Sequence, residues 1–111
     1  MKNLVVDAGN NRIKAALFER GTLLQKNEWS SADFVNWVKH VQADHFILSS
    51  VAAATLQELD LRQISGQRLQ LHPGLPLPLH VAYQTPETLG ADRLAAACGA
   101  AARFPKKNSL V

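Results

Sequence analysis

The stretch Asn3–Lys14 reads Asn-Leu-Val-Val-Asp-Ala-Gly-Asn-Asn-Arg-Ile-Lys, and the fold assignment starts from it. Asn3–Val6 is a short, largely apolar run that ends at Asp7, which is typical of a strand. Ala8–Asn11 is rich in residue types that favour turns. Arg12–Phe18 then alternates between two sides, which predicts a second strand. Two strands this close in sequence predict a β-hairpin with a carboxylate at the end of its first strand.

Strands and helices are predicted for the remainder of the chain. Glu19–Gly21 predicts a turn, and Thr22–Lys26 predicts a third strand that completes an antiparallel meander. A helix is predicted next, capped by Ser30 or Ser31, with Phe34, Trp37, Val38 and Val41 on one apolar face. Two further helices are predicted at Ala53–Ile64 and at about Gly90–Arg103. The remaining predicted strands are a buried one at Phe46–Leu48 and short ones at Leu69–Leu71 and Leu79–Tyr83. This order predicts an α/β domain, a three-stranded meander extended by a crossover strand with flanking helices, as in the ribonuclease H-like fold.

The last residues read as the beginning of one more strand. Pro105 ends the preceding helix, because proline cannot continue it. We therefore expect residues 1–107 to form an N-terminal ribonuclease H-like domain. Residues 108–111 are expected to begin a strand of a second domain that lies beyond this sequence.

Composition limits the class of protein. The chain has 111 residues, 47% of them hydrophobic, which suits one domain with its own core. A single cysteine, Cys98, excludes a disulfide framework and a cysteine-rich zinc site. No apolar run approaches the ~20 residues of a membrane span, and the run before Asp7 is too short for a signal peptide, so we expect a cytoplasmic protein without a membrane partner. The net charge of +3 comes from scattered residues, which does not favour nucleic acid as a partner.

The first candidate site is the turn Asp7–Lys14. Gly9 is able to adopt positive φ, and the N–H groups of Gly9–Asn11 can form a concavity that holds an anion. Asp7 can bind Mg²⁺ directly or through water, and Lys14 can neutralise phosphate charge. The alternative is a plain hairpin in which Asp7 accepts turn amides and Lys14 is solvated. The turn is not a Walker loop, because the G-x-x-x-x-G-K-[ST] spacing is absent.

The second candidate site is the segment Tyr83–Arg93. Gly90 frees the backbone where a helix begins, and a helix N-terminus favours negative charge. Asp92 can act as a general base toward a substrate alcohol, and Arg93 can bind a carboxylate. The alternative is structural, because an Asp in the first turn of a helix complements the helix dipole, and both side chains are then ordinary surface residues.

Two serines, Ser49 and Ser50, follow the predicted strand Phe46–Leu48. The carboxyl ends of strands face binding crevices in α/β sheets. Serines also terminate strands in turns and cap the helices that follow, and we favour this second interpretation. The spacing of the four histidines matches no metal site.

Taken together, the two candidate segments resemble type III pantothenate kinases, which belong to the actin and sugar-kinase superfamily. Asp7–Lys14 is similar to the family's first phosphate motif, Asp-x-Gly-Asn-Thr followed by a basic position. Tyr83 with Thr85–Arg93 resembles the family's pantothenate segment, and Ser49–Val51 resembles a strand end of the family. The resemblance extends over essentially the whole chain.

The resemblance implies a kinase that transfers the γ-phosphoryl group of ATP to pantothenate, giving 4'-phosphopantothenate in the first step of coenzyme A biosynthesis. It implies ATP, Mg²⁺ and a monovalent cation, K⁺ or NH₄⁺, whose ligands are expected outside this chain, and a homodimer at full length. The implied ATP- and phosphate-binding residues are Asp7, Ala8, Gly9, Asn10, Asn11, Arg12, Ile13 and Lys14, with Asp7 toward Mg²⁺. The implied pantothenate-binding residues are Tyr83, Gly90, Ala91, Asp92 and Arg93, with Asp92 as the catalytic base.

The sequence departs from the family pattern in two places. Asn11 stands where the family usually has Thr, which bears on nucleotide contacts only, since an amide also forms hydrogen bonds. The chain ends before the family's second Asp-x-Gly-Thr turn, which is expected after the strand that begins at Ser109. We therefore expect an N-terminal half of the site, with little or no turnover by these 111 residues alone.

Two alternatives belong to other functional classes. The first is an accessory or regulatory protein of the same family that affects transcription without kinase activity, for which the basic residues near the end give weak support. The second is a nuclease, since the predicted fold is ribonuclease H-like. Nuclease chemistry needs several carboxylates around two metal ions, and only Asp7 and Asp92 qualify.

Overall fold

The computed structural model describes residues 1–50, 61, 64–72, 74–77, 82, 85, 90–106 and 108. The chain divides into two compact units, residues 1–70 and residues 71–111. The first unit contains a sheet and a helix, and the second contains a longer helix. The predicted α/β class is confirmed.

In the described part of the chain, five strands form one sheet in the order β3-β2-β1-β4-β5. Their bounds are β1 Lys2–Ala8, β2 Ile13–Glu19, β3 Thr22–Trp29, β4 His45–Ser50 and β5 Arg68–Gln70. The first three strands are antiparallel neighbours, whereas β4 runs parallel to β1 and β5 runs parallel to β4. The predicted meander and crossover strand are therefore confirmed. Because β1 and β4 are parallel, their carboxyl ends lie at the same edge of the sheet.

A two-residue turn joins β2 to β3. Arg20 and Gly21 have φ angles of 50° and 82°, the left-handed conformation that the common two-residue hairpin turn needs at both positions. The predicted turn at Glu19–Gly21 is confirmed.

Helix α1, Ser31–Val38, packs on one face of the sheet. Ser30 is its N-cap, and the Ser30 hydroxyl accepts a hydrogen bond from the Asp33 N–H at 3.3 Å, a type of contact that stabilises a helix by about 1 kcal/mol. The core between helix and sheet includes Leu4, Val6, Ala8, Ile13, Ala15, Phe34, Val38, Phe46 and Leu48. Because successive residues of a strand point to opposite faces, Asp7 lies on the face away from α1.

Two elements differ in extent from the prediction. Strand β3 continues past Lys26 to Trp29, where the Trp29 ring stacks on the Trp37 ring of α1 with centroids 5.1 Å apart. Helix α1 ends at Val38, so Val41 is not on the helix, although it is buried in the core. Both differences come from tertiary packing, which local alternation of polar and apolar residues does not record.

The predicted helix Ala53–Ile64 falls mostly outside the described residues. Leu61 and Ile64, which are described, are not helical, and both are buried in the core. The predicted strand at Leu79–Tyr83 and the strand start at 108–111 also lie outside the described residues, except for Ala82 and Asn108, which are in no strand. The short strand predicted at Leu69–Leu71 is observed one residue earlier, as β5.

The second unit contains helix α2, Ala91–Arg103, with Gly90 as its N-cap. The predicted helix is thus confirmed, and it ends at Arg103, with Phe104 as its C-cap directly before Pro105. Leu94 is buried, whereas Ala97, Cys98 and Ala101 are only half-buried. Among the described residues, no helix is both long and apolar enough to cross a membrane.

Candidate phosphate-binding site

Four polar side chains lie in a row across the edge of the sheet where β1 and β4 end. Cross-strand register places Asp7 of β1 between Lys14 of β2 and Ser49 of β4. Lys14 in turn pairs with Glu28 of β3. Residues in register project to the same face of a sheet. Glu28, Lys14, Asp7 and Ser49, here called the polar row, therefore share the face away from α1.

The two charges at the centre of the polar row are of opposite sign. Asp7 is partly buried, and Lys14 is exposed. Lys14 has no ion-pair partner among the described residues. A phosphate group that approaches this edge therefore meets an accessible ammonium group beside a carboxylate, which is the pairing needed to hold phosphate oxygens and a divalent cation together.

The turn between β1 and β2 comprises Gly9–Arg12. The Gly9 N–H donates to the Arg12 carbonyl at 3.0 Å, so this amide closes the hairpin. The expectation that the Gly9 amide holds an anion is therefore not met in this conformation. Asn10 and Asn11 are both exposed, and their amides have no backbone partner among the described residues. The anion-holding concavity thus reduces to these two amides.

Gly9 suits the turn for a different reason from the one expected. Its φ is not positive, whereas the φ of Gly21 is. A Cβ atom at residue 9 would lie 3.2 Å from the Arg12 carbonyl oxygen, closer than most Cβ contacts. Glycine therefore permits the close approach of two backbone segments.

Arg12 is held by the neighbouring strand. Its Nε donates to Glu28 Oε1 at 3.1 Å, and both side chains are exposed. Such a surface pair stabilises a fold by about 0.2–1 kcal/mol. The sequence prediction missed this contact, because it ended the third strand at Lys26 and so placed Glu28 outside the sheet.

Two of the predicted phosphate-site residues point into the core. Ala8 and Ile13 are buried in the cluster that packs against α1. Only their backbone groups can therefore take part in binding at the turn. Their side chains instead anchor the two strand ends that the turn connects, because the two residues pair in register and are both buried.

Ser49 carries an unsatisfied buried hydroxyl. The residue is 7% exposed. Among the described residues, two buried side-chain polar atoms have no hydrogen-bond partner, Ser49 Oγ and Trp29 Nε1. The favoured interpretation of Ser49 as a turn or cap residue is wrong, because it lies within β4 beside Asp7. The sequence signal for Ser49 as a site residue was its position at the carboxyl end of a predicted strand, where binding crevices form in α/β sheets.

The second predicted cluster lies at the N-terminus of α2 and consists of Gly90, Ala91, Asp92 and Arg93. Gly90 has φ −61° and ψ 135°, an ordinary extended conformation, so the expected backbone freedom is not used. Asp92 Oδ1 accepts a hydrogen bond from the Arg93 N–H at 2.9 Å. A Cβ atom at residue 90 would lie 2.6 Å from that oxygen, so glycine leaves the space that the carboxylate occupies.

The side chains of Asp92 and Arg93 are exposed and accessible to a ligand. Tyr83, the remaining predicted pantothenate residue, lies outside the described residues. The polar row belongs to the first unit and the α2 cluster to the second.

The donor set of the polar row suits a hydrated Mg²⁺ ion. Within the described residues, no group of three or more His, Cys, Asp or Glu side chains could hold a metal ion. Mg²⁺ is commonly bound through one or two carboxylates plus substrate phosphates, and it keeps several of its waters. One carboxylate, Asp7, beside a buried hydroxyl that lacks a partner fits that mode of binding and does not fit an all-protein cage.

A solved structure supports the class of fold. A protein of unknown function from Bacteroides thetaiotaomicron, described as having an actin-like ATPase fold, is similar with a TM-score of 0.51 and 20% sequence identity. The likeness covers 63% of this chain and 32% of that chain. The likeness assigns the chain to the actin-like ATPase fold, as predicted.

The family follows from sequence comparison. The profile of the type III pantothenate kinase family matches residues 3–111. A type III pantothenate kinase from Christiangramia forsetii is 36% identical, and the match covers 98% of this chain and 47% of that protein. Another, from Cytophaga hutchinsonii, is 38% identical and covers 97% of this chain and 46% of its own length. The chain belongs to the type III pantothenate kinase family, and it spans about half the length of the curated relatives it matches.

Proposed function

We propose that the protein that carries this chain phosphorylates pantothenate with ATP, and that the chain supplies the N-terminal half of the active site. The observation that carries the proposal is the polar row, in which Asp7 lies near the carboxyl end of the first strand of an actin-like ATPase fold, beside Lys14. The family match over residues 3–111 supports the substrate class. The half-site part is supported by the share of its relatives that the chain covers, 46–47% in the two named above.

The turn Gly9–Arg12 and Lys14 would hold the phosphates of ATP. The backbone amides of the exposed residues Asn10 and Asn11 can donate to phosphate oxygens, and the Lys14 ammonium group can compensate the phosphate charge. Arg12 is the less available cation, because Glu28 already accepts a hydrogen bond from its Nε. Asn11 retains a hydrogen-bonding side chain at the position where the family usually has Thr.

Asp7 would hold Mg²⁺, directly or through water. When bound, Mg²⁺ neutralises phosphate charge as it develops during phosphoryl transfer. Asp7 contributes the carboxylate beside Lys14. It keeps its position because its neighbours Val6 and Ala8 are buried in the core. A monovalent cation is also proposed as a cofactor, with ligands outside this chain.

Asp92 would take the proton from the pantothenate hydroxyl, and Arg93 would pair with the pantothenate carboxylate. Asp92 is accessible, and its carboxylate is oriented by the Arg93 N–H. Gly90, Ala91 and Tyr83 would complete the pantothenate contacts. Phosphoryl transfer asks for little covalent chemistry from the protein, so the positions of these groups account for most of the catalysis.

The proposal places the full-length protein in the cytoplasm, where ATP is available, and expects a homodimer. Both are expectations from the family.

The test is a phosphorylation assay with ATP, Mg²⁺ and pantothenate on the full-length protein. We expect 4'-phosphopantothenate to form, and Asp7→Asn to lower kcat/KM by about 100-fold, an effect in the range of a lost metal-ion contact. Asp44→Asn is the matched control, because Asp44 lies at the opposite end of β1, where it accepts the Lys2 N–H at 2.7 Å.

Absence of product from the full-length protein would refute the kinase proposal. Equal losses in Asp7→Asn and Asp44→Asn would refute the role of Asp7, because the effect would then be general destabilisation. Robust turnover by residues 1–111 alone would refute the half-site part of the proposal.

A further inference from the structure

The strongest unexplained feature of the described residues is the Ser49 hydroxyl. A buried polar atom without a hydrogen-bond partner costs about 1–3 kcal/mol of stability. Ser49 Oγ is such an atom, in a residue that is 7% exposed. Alanine would fill the same place without that cost. The hydroxyl is therefore best explained by a partner that the protein acquires when the site is occupied.

Its position selects the kind of partner. Ser49 and Asp7 are in register on adjacent parallel strands, and neighbouring strands lie about 4.8 Å apart. One water molecule that makes two hydrogen bonds of about 2.8 Å can span two polar groups up to about 5.6 Å apart. The spacing of the two strands thus suits a single water between the Asp7 carboxylate and the Ser49 hydroxyl.

A second buried atom without a partner, Trp29 Nε1, is found in the described part of the chain, and it lies in a different environment. Trp29 Nε1 belongs to a residue that is only partly buried and that pairs in register with Ile13, on the face that packs against α1. Ser49 pairs with Asp7, on the face that carries the polar row. Of the two, only Ser49 lies beside an ionisable group of the candidate site.

We propose that Ser49 is a positioning residue for the metal ion, and that its hydroxyl and Asp7 together hold one water of the hydrated Mg²⁺ that accompanies the nucleotide. The inference rests on the proposed function, in which Asp7 faces Mg²⁺. Mg²⁺ dehydrates reluctantly and keeps several waters in protein sites. The groups that bind those waters orient the ion, and loss of such a group typically lowers metal affinity or activity by about 10–100-fold.

The proposal predicts opposite effects of Ser49→Ala on stability and on binding. Without ligand, Ser49→Ala is expected to be at least as stable as the parent, because it removes a buried group without a partner. With Mg²⁺ present, its affinity for ATP is expected to fall by about tenfold. In EDTA, its affinity for ATP is expected to change by less than about twofold, because the water that Ser49 binds belongs to the metal ion.

The experiment uses the full-length protein, with isothermal titration calorimetry of ATP in Mg²⁺ and in EDTA and with thermal unfolding of each ligand-free variant. Ser65→Ala is the matched control, because Ser65 is an exposed serine of the same unit, outside the polar row. It is expected to change neither quantity.

Equal ATP affinities of parent and Ser49→Ala in Mg²⁺ would overturn the role of Ser49 while leaving the kinase proposal intact. A lower unfolding temperature for Ser49→Ala with unchanged affinity would also overturn it, because the hydroxyl would then be satisfied by a structural water. A parent that binds no ATP under either condition would overturn both proposals.

Discussion

The two candidate clusters of this chain place a carboxylate in very different ways. In the hairpin, the sheet fixes the position of Asp7, because its strand neighbours Val6 and Ala8 are buried and its cross-strand partners are in register. At the start of α2, Asp92 is set by one local hydrogen bond from Arg93 and by the absence of a side chain at Gly90.

The difference shows what each arrangement is suited to do. A group on a strand whose neighbouring residues are buried stays in place when a multiply charged ligand binds, which suits a phosphate and metal site. A group at an exposed helix N-terminus remains accessible, which suits a base that must reach a substrate hydroxyl. Substitutions in the α2 cluster should therefore affect turnover, whereas substitutions of Asp7, Lys14 or Ser49 in the polar row should weaken nucleotide binding.

The largest expected effect is that of Asp92→Asn in the full-length protein. Without the base, kcat should fall by about 1,000-fold, within the usual range for general-base catalysis, while the ATP affinity changes little. The measurement is steady-state kinetics together with ATP titration. Asp33→Asn is a matched control, because Asp33 is likewise an exposed acidic residue in the first turn of a helix.

A kcat loss of the same size in Asp33→Asn would contradict the assignment of Asp92 as the base. Unchanged turnover in Asp92→Asn would do so more directly, and it would reduce the α2 cluster to an ordinary charged helix start.

An intermediate effect is expected from Gly90→Ala. The new Cβ would lie 2.6 Å from Asp92 Oδ1, so the carboxylate must move, and displacement of a catalytic group by about 1 Å can cost up to about 100-fold in rate. We expect kcat to fall by at least tenfold, and kinetics at saturating ATP would measure it.

Gly99→Ala is the control for that substitution. Gly99 lies within the same helix, and an added Cβ would meet nothing within 4 Å. This variant should unfold at a higher temperature, because alanine in a helix interior is favoured over glycine by about 1 kcal/mol. If both glycine variants left kcat unchanged, the space at Gly90 would have no role in orienting Asp92.

The smallest expected effect is that of Glu28→Gln. The pair of Arg12 with Glu28 is exposed, so its loss should lower the free energy of unfolding by less than about 1 kcal/mol. ATP affinity should rise slightly or stay the same, because Arg12 becomes free to meet phosphate. Urea unfolding and ATP titration would measure the two quantities. A marked loss of ATP affinity would show instead that Glu28 holds Arg12 in its binding position.

Much of the fold could be predicted from local sequence. The apolar run before Asp7, the alternation in Arg12–Phe18 and the turn residues on both sides of it predicted β1, β2 and the start of β3. A cap at Ser30 or Ser31 and the helical spacing of the apolar residues after it predicted α1. The end of β3 was missed, because it depends on the stacking of Trp29 on Trp37. A contact between two residues of different elements leaves no periodic signal in either one.

The candidate sites divide in the same way. The order of residue types alone predicted Asp7, Lys14, Asp92 and Arg93 as polar groups at element ends, where strand and helix termini leave functional groups accessible. The roles of the two glycines were predicted from backbone freedom. In the structure, both glycines instead leave room for a neighbouring oxygen atom. Gly9 lies against the Arg12 carbonyl, and Gly90 lies against the Asp92 carboxylate.

By itself, then, the sequence determined that a carboxylate closes the first strand and that a glycine turn and a lysine follow it, because strand periodicity and turn chemistry are local properties. Only the tertiary structure decided that Ser49 lies beside Asp7. Parallel register between distant strands is set by which side chains are buried together, and a slip of one residue would turn Ser49 to the opposite face. The residues of the phosphate motif are consecutive in sequence and could be predicted from it. The position of the Ser49 hydroxyl, which is proposed to complete the metal site, depends on how the strands pair in the sheet.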